Sequence, residues 1–434
     1  MRASGRREHA PHHFPIRAFF FRLVRSTLRG FRLALTPFRW LIQRAGVELD
    51  SREIYLISSN FARHASRSIS VFPGFSGPEV LETQMGVEPR TPEHGYRVRD
   101  VQVHSITNAL LKGSPRFNAI FSEDRCLIAE RLESGPWDFQ DGSNPEHPGH
   151  VKWQSHYFIE TGKPHKTKLV EKGIFLGARA PYNYYHWLIN GLPSLFIANS
   201  LAKIPVDYPV LIPRAVLDKE NLREPLEILL QGRDLVAWDA DTQLEVKEAL
   251  VIDPPPVYDT PLSLDRDKRI PLNVHIPLMK LYRQEFLDKA PLALPKESGL
   301  ARLFLARPSD DERSENQGEL IKVAAELDFT VFHPEAHSFH EQVAAFSNAQ
   351  FITGPSGAAF TNLLFCKPGA KALLWKPEYL GVENFFANLG EISGATCYSM
   401  ATKMSGTQDT GRGAWYLDPS LLRSSLLALT GLTQ

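Results

Sequence analysis

Three stretches of this 434-residue chain gather side chains that can do chemistry. The first is Phe351-Ile-Thr-Gly-Pro-Ser-Gly-Ala-Ala-Phe-Thr-Asn-Leu-Leu-Phe365. An apolar run enters Gly354-Pro355-Ser356-Gly357 and continues directly as a helical segment. The N–H groups in a helix's first turn have no intrahelical acceptors, and with the helix dipole they form an anion site. Gly357, Ala358 and Ala359 let a phosphate or a sugar approach the backbone. The pattern is neither a dinucleotide fingerprint nor a Walker loop, so dehydrogenase and P-loop readings are weak. A tight strand-to-helix turn that binds nothing has the same spacing.

The second stretch follows Leu303-Phe-Leu-Ala306 and holds Arg307, Arg313 and Asn316. An arginine at the carboxyl end of a parallel strand points into the crevice where open α/β sheets bind ligands. Its planar fork suits a diphosphate; solvated surface arginines are the plain alternative. The third is Tyr182-Asn-Tyr-Tyr-His-Trp-Leu-Ile-Asn-Gly-Leu-Pro193. Asn183 fits a helix N-cap, which puts His186 in the first turn and Asn190 one turn later on the same face. Within this stretch only His186 accepts a proton near neutral pH. Tyr184, Tyr185 and Trp187 beside it suit stacking on a sugar, although a histidine among aromatics is also a common core arrangement. His333, His337 and His340 imitate a metal set, but the predicted strand end and helix start hold them apart. No nucleophile motif stands out.

The elements that must position these residues alternate in type. A strand at 173–177 leads to a helix at 184–202, a strand at 209–212, a helix at 218–231, and strands near 234–238 and 247–252. A Pro-rich connection from Asp253 precedes a helix near 275–288. The alternation then resumes: strand 302–306, helix 317–327, strand 329–332, helix 339–348, strand 351–353, helix 358–365, strand 372–375. This order predicts doubly wound parallel sheets in two α/β halves, with a ligand cleft between them. Residues 45–100 read as irregular with a weak helical signal at 78–85, and 96–158 as short alternating runs between turns.

The chain is 43% hydrophobic, ample for a sizeable core, and its length suggests two or three domains of about 150 residues. Three cysteines, Cys126, Cys366 and Cys397, build no disulfide framework, which favours a reducing compartment. The 49 basic and 49 acidic residues cancel, against a dedicated nucleic-acid binder. The cancellation hides an asymmetry, because residues 1–44 hold ten arginines, no lysine and one acid, Glu8. Phe20, Leu23, Val24 and Phe31 share one helical face, and Arg22, Arg25, Arg29 and Arg32 the other. Such a helix lies in an anionic membrane interface, here through residues 17–44. Docking on the body and an organellar transit peptide are the alternatives. No uncharged run is long enough to span a bilayer, and no secretory h-region is present.

Together the three stretches resemble glycosyltransferase family 61, which includes bacterial capsular-polysaccharide biosynthesis proteins, plant xylan-modifying transferases and animal O-linked N-acetylglucosaminyltransferases. Asn183 to Pro193 is similar to the family's N-Y-Y-H-W-L-x-D/E-x-L-P, and Arg307…Arg313-x-x-Asn316 to its S-R…R-x-x-N. Pro334-Glu335…Gln342-x-x-x-Phe346 and Gly354–Asn362 resemble two further blocks, P-E…E-Q-x-x-x-F and G-P-H-G-A-x-x-T-N. Ser356 stands where the family usually has histidine, and Asn190 where an acid is common.

The resemblance implies a GT-B-like α/β fold, with two Rossmann-like domains facing a cleft behind the basic N-terminal segment. The corresponding domains are 1–44, an acceptor-side domain with a β-rich insertion at 45–290, and a nucleotide-sugar domain at 291–434. It also implies an inverting mechanism, a nucleotide-sugar donor, expected to be UDP-linked, and neither cofactor nor obligatory metal. The expected catalytic pair is His186 and Asn190. Arg307, Arg313, Asn316, Gly354, Ser356, Gly357, Ala358, Thr361 and Asn362 would bind the donor. Asn183, Tyr184, Tyr185 and Trp187 would bind a glycan or lipid-linked glycan acceptor. The expected setting is the cytoplasmic face of a bacterial membrane, in surface-polysaccharide synthesis. The rivals are another nucleotide-dependent α/β enzyme and a degenerate transferase that only binds carbohydrate.

Overall fold

The computed structural model describes residues 52–59, 64–86, 95–114, 117–123, 126–129, 150–153, 156–162, 165–177, 181–239, 241–258, 272–289, 300–308, 316–378, 384–405 and 414–432. The basic segment 1–44 and Arg313 lie outside the described residues.

The chain opens with strands β1 (Arg52–Ser59), β2 (Arg67–Phe72), β3 (Phe75–Pro78), β4 (Thr83–Gln84), β5 (Gly95–Val98) and β6 (Val101–Ser114). Then come β7 (Phe117–Phe121), β8 (Cys126–Ala129), β9 (His150–Trp153), β10 (His156–Gly162) and β11 (Lys166–Phe175). The expectation of irregular chain with a helical signal at 78–85 is overturned: strands occupy this region. The reason is physical. β4 is two residues long and pairs with a strand more than 300 residues downstream, so no local periodicity announces it.

From β11 onward the predicted alternation holds. Helix α1, a continuous helical run over 184–201, is followed by β12 (Val210–Pro213), α2 (Glu220–Leu230), β13 (Leu235–Trp238) and β14 (Thr242–Ile252). A short pair, β15 (Pro256–Tyr258) and β16 (Leu272–Val274), leads to α3 (Ile276–Lys289). The second half runs β17 (Arg302–Leu305), α4 (Gln317–Ala325), β18 (Thr330–Phe332), α5 (Phe339–Asn348), β19 (Phe351–Pro355) and β20 (Lys371–Pro377). It ends with α6 (Phe385–Ser393), β21 (Thr396–Ser405), β22 (Ala414–Tyr416) and α7 (Pro419–Thr430).

In the first sheet β13, β12, β11 and β14 lie side by side and parallel, and β6 continues the sheet antiparallel to β14. The second sheet has the order β18-β17-β19-β20-β21-β22, parallel except for β22. Side-chain alternation along β17 and β20 sorts residues to opposite faces. Phe304, Leu373 and Trp375 pack with Leu320 of α4 and Leu422 and Leu426 of α7. Leu303, Leu305, Ala372 and Leu374 face the other way. There they join one continuous core with Ile174, Val210 and Ile212 of the first sheet, built through α1, α2, α3, α5 and α6. A helical layer between two sheets thus holds the molecule together, and each fully buried Leu, Ile or Phe in it contributes roughly 1.5–3 kcal/mol.

Candidate functional site

Both parallel sheets reverse their strand order next to their first parallel strand. In the second sheet the chain moves outward from β17 to β18, then returns to lay β19 on β17's other side. In the first, β12 and β13 lie on one side of β11 and β14 on the other. A crevice opens at such a point beyond the carboxyl ends of the strands, because the connections leave in opposite directions. Arg307 follows β17, Ser356 follows β19, and His186 lies in the helix after β11. The residues singled out by type therefore sit where the topology opens crevices.

At the β17/β19 end the strands approach closely. A Cβ on Gly354 would lie 2.7 Å from the Leu305 carbonyl oxygen, so only glycine fits. Arg307 is 8% exposed. Its Nη2 donates to the Ser356 carbonyl at 2.5 Å, and its Cζ lies 4.7 Å from the centre of the Trp415 ring. Gln317 clamps its backbone, accepting from the Arg307 N–H at 2.8 Å and donating to the Arg307 carbonyl at 3.0 Å. The guanidinium is thus held at the strand end rather than waving in solvent.

The turn after β19 differs from the α-helix start that the sequence suggests. Ala358–Phe365 is a 3-10 helix, and Phe360 donates back to the Gly357 carbonyl at 3.0 Å. The Ser356 N–H donates to the Trp375 carbonyl, so that donor serves the sheet. Gly357 is fully extended, and a Cβ there would meet the Arg307 Nη2 only at 3.6 Å. Ser356, Gly357 and Ala358 are partly exposed, whereas Thr361 and Asn362 are completely buried. Asn362 accepts from the Tyr184 hydroxyl at 2.7 Å and donates to Gln342 Oε1 at 2.9 Å. It links helices rather than presenting its amide to a crevice. Asn316 donates to the Leu417 carbonyl at 2.8 Å, which ties α4 to the C-terminal segment.

On the other side, Asn183 caps α1 as its type suggests, its Oδ1 accepting from the N–H groups of Tyr185 at 3.0 Å and His186 at 3.4 Å. A π-helical turn, Trp187–Gly191, follows at once. Within α1 the His186 Nδ1 and the Asn190 Oδ1 lie 3.0 Å apart. An amide oxygen only accepts, so Nδ1 carries the proton and Nε2 is the basic nitrogen, an assignment that follows from the bond. His186 is partly exposed. Trp187 is wholly buried and donates to the Leu222 carbonyl at 2.8 Å, which makes its ring core rather than a sugar platform. Tyr185 is mostly buried, edge-on to His186, Phe385 and Phe386. Burial drives the Tyr184 phenol far above its usual range, so it stays a neutral donor to Asn362.

The structure therefore brings His186 with Asn190, and Arg307 with Ser356, and joins the two groups through Tyr184 and Asn362. His337 stacks on Phe332 with ring centres 4.4 Å apart, and no group of three metal-ligating side chains forms among the described residues. Sequence reasoning missed Gln317 and Trp415. Both act on Arg307 across folded distance, and neither belongs to a spaced motif.

No curated protein sequence matches the chain. The family model described as Glycosyltransferase 61 matches residues 184–373, from the tyrosine bonded to Asn362 through the 3-10 turn to β20. Through this segment, which carries His186, Arg307 and the turn after β19, the chain is similar to glycosyltransferase family 61.

Proposed function

We propose that the protein moves a sugar from a nucleotide-sugar donor, UDP-linked, to a hydroxyl of a glycan or lipid-linked glycan, with inversion at the anomeric carbon. The observation that carries this reading is Arg307, fixed over Trp415 and against Ser356 at the β17/β19 switch point. In the reaction the acceptor oxygen attacks the anomeric carbon while the bond from that carbon to the phosphate oxygen breaks. His186 takes the hydroxyl proton at Nε2, and Asn190 holds the ring in the tautomer that makes this possible. The diphosphate departs with added negative charge, which a fixed guanidinium stabilises more in the transition state than in the ground state. Arg313 would add charge to the same donor site. No divalent metal is needed where guanidinium groups supply the charge.

The two sheets then correspond to a GT-B-like pair, the first serving the acceptor and the second the donor. No helix among the described residues is long and apolar enough to cross a membrane. The Arg-rich segment 1–44 supports peripheral attachment to an anionic, cytoplasmic membrane surface, where a lipid-linked precursor of a bacterial surface polysaccharide would lie.

The test is a thermal-shift screen against UDP-, GDP-, CMP- and dTDP-sugars, because ligands that bind only the folded state raise the midpoint. Transfer or donor hydrolysis is then measured with the donor found. A raised midpoint with UDP-sugars and turnover abolished by Arg307→Ala is the expected result. Binding without turnover under any acceptor would make the protein a carbohydrate-assembly subunit instead.

A further inference from the structure

The residue that holds Arg307 has an unused group of its own. Trp415 is on β22, the antiparallel edge strand, in register with Met404 of β21. Its ring lies under the Arg307 guanidinium at 4.7 Å, and the two residues are 7% and 8% exposed. The segment is firmly placed, since Leu417, two residues on, exchanges hydrogen bonds with Asn316 at 2.8 and 3.4 Å. Yet the indole Nε1–H is buried and has no hydrogen-bond partner among the described residues. Of the other buried indoles, the Trp187 N–H finds a carbonyl, and the Trp238 N–H, which has no such cation against its ring, is likewise without an acceptor among the described residues. A buried donor without an acceptor is costly and uncommon, and an orphan beside a fixed cation is what a ligand oxygen would satisfy.

We propose that Trp415 is part of the donor site, giving its indole N–H to an oxygen of the same diphosphate that Arg307 recognises. The inference rests on the reading of Arg307 as the diphosphate contact. Its ring positions the cation, and its N–H adds a neutral donor for the same diphosphate. Such a pairing selects a nucleoside diphosphate over a neutral sugar, because both partners are donors and neither offers an acceptor.

The experiment titrates UDP and inorganic pyrophosphate into the full-length protein and three variants, by calorimetry. Trp415→Phe keeps a ring under the guanidinium and removes only the N–H; Trp415→Leu removes both; Arg307→Ala removes the cation. The proposal expects Kd for both probes to rise about 5- to 10-fold in Trp415→Phe and about 10- to 100-fold in Trp415→Leu, with Arg307→Ala at least as weak. It also expects the unliganded Trp415→Phe protein to melt no lower than wild type, since the lost N–H had no partner. Wild-type affinity in Trp415→Phe, with loss only in Trp415→Leu, would leave the ring as a support and overturn the hydrogen bond. Weakened UDP binding with unchanged pyrophosphate binding would overturn the diphosphate assignment. Undiminished binding by Arg307→Ala, or no binding of either probe by wild type, would sink the donor-site reading and this inference with it. Loss in Arg307→Ala but in neither tryptophan variant would reject the inference alone.

Discussion

As the proposed base, His186 has its working nitrogen chosen by its neighbour. With Nδ1 donating to Asn190, the lone pair is at Nε2, and loss of the amide would let the ring turn or change tautomer. His186→Ala is expected to lower turnover about 100- to 10,000-fold, the range for a general base, with little change in donor affinity. Asn190→Ala should cost less. Asn190→Asp should be tolerated or slightly activating, because a carboxylate holds Nδ1–H at least as well. Steady-state kinetics beside melting curves decide the matter: a destabilised but fully active His186→Ala protein would return the residue to the core. Trp187, one position away, shows why residue type alone was not enough. The same aromatic run that suits sugar stacking also suits burial, and only the fold reveals that its indole is spent on Leu222.

Among the elements, β20 and the residue just before β4 share a buried ion pair in which Lys376 Nζ donates to Glu82 Oε2 at 2.6 Å, with side-chain exposures of 3% and 0%. It fastens the N-terminal segment beside the second sheet, where Thr83 and Gln84 pair with Tyr398 and Ser399. Removing one partner deprives the other buried charge of its ion-pair partner, so Glu82→Gln should cost up to about 3–5 kcal/mol, read from denaturant unfolding. A double replacement by apolar residues of similar volume should recover most of that loss. His275, at the start of α3, supplies a pH signature. Burial pushes its pKa down, partly offset by its Nε2 bond to the Pro73 carbonyl at 2.8 Å. The folded state therefore resists a proton that the unfolded chain accepts near the ordinary histidine pKa of about 6.5. Its contribution to stability is complete above that pH and declines as pH falls below it. Melting temperature should drop less between pH 7 and pH 5 in His275→Gln than in wild type.

The same elements show which parts of the fold were legible. Helix 339–348 was readable because Ser338 and Glu341 form a capping box ahead of an amphipathic run, all within one local window. The strand–turn of 351–357 was readable from its apolar run and glycines. The strands at 52–59 and 67–72 were not, nor was β4, because what makes them strands is pairing with distant partners such as β6, β10 and β21. The candidate site divides in the same way. Histidine, arginine and the glycine turn were visible by type. The contact between Arg307 and Ser356, 49 positions apart, and the support from Trp415 exist only once the sheet order brings them together.

At the scale of the whole molecule, the basic segment and the body should be separable functions. Deleting residues 1–44 should release the protein from anionic vesicles while leaving activity on a soluble acceptor mimic largely intact; unchanged vesicle binding would reject that division. The body itself is tied across its middle at several points. Arg283 of α3 donates to the Leu364 and Cys366 carbonyls at 2.7 and 2.8 Å, and the Phe339 N–H at the start of α5 donates to Glu224 of α2. The tie nearest the chemistry is the Tyr184 hydroxyl on Asn362, which in turn holds Gln342 of α5. It joins the helix bearing His186 to the turn that follows Ser356. Tyr184→Phe removes one oxygen and leaves Asn362 with an unsatisfied buried acceptor, a loss of about 1–3 kcal/mol. Because the bond spans the two crevices, its loss should also loosen the placement of His186 relative to the donor. Misplacement of reacting groups raises the barrier without weakening donor binding. Tyr184→Phe is therefore expected to keep donor Kd within about twofold of wild type while turnover falls by about tenfold, at a temperature where the variant remains folded. Asn362→Leu alone, and combined with Tyr184→Phe, completes a double-mutant cycle. If the two positions act through one bond, the double variant will be no slower than the slower single variant. Multiplying losses would mean that each residue affects turnover independently, and a lowered melting temperature with unchanged turnover would confine the bond to stability.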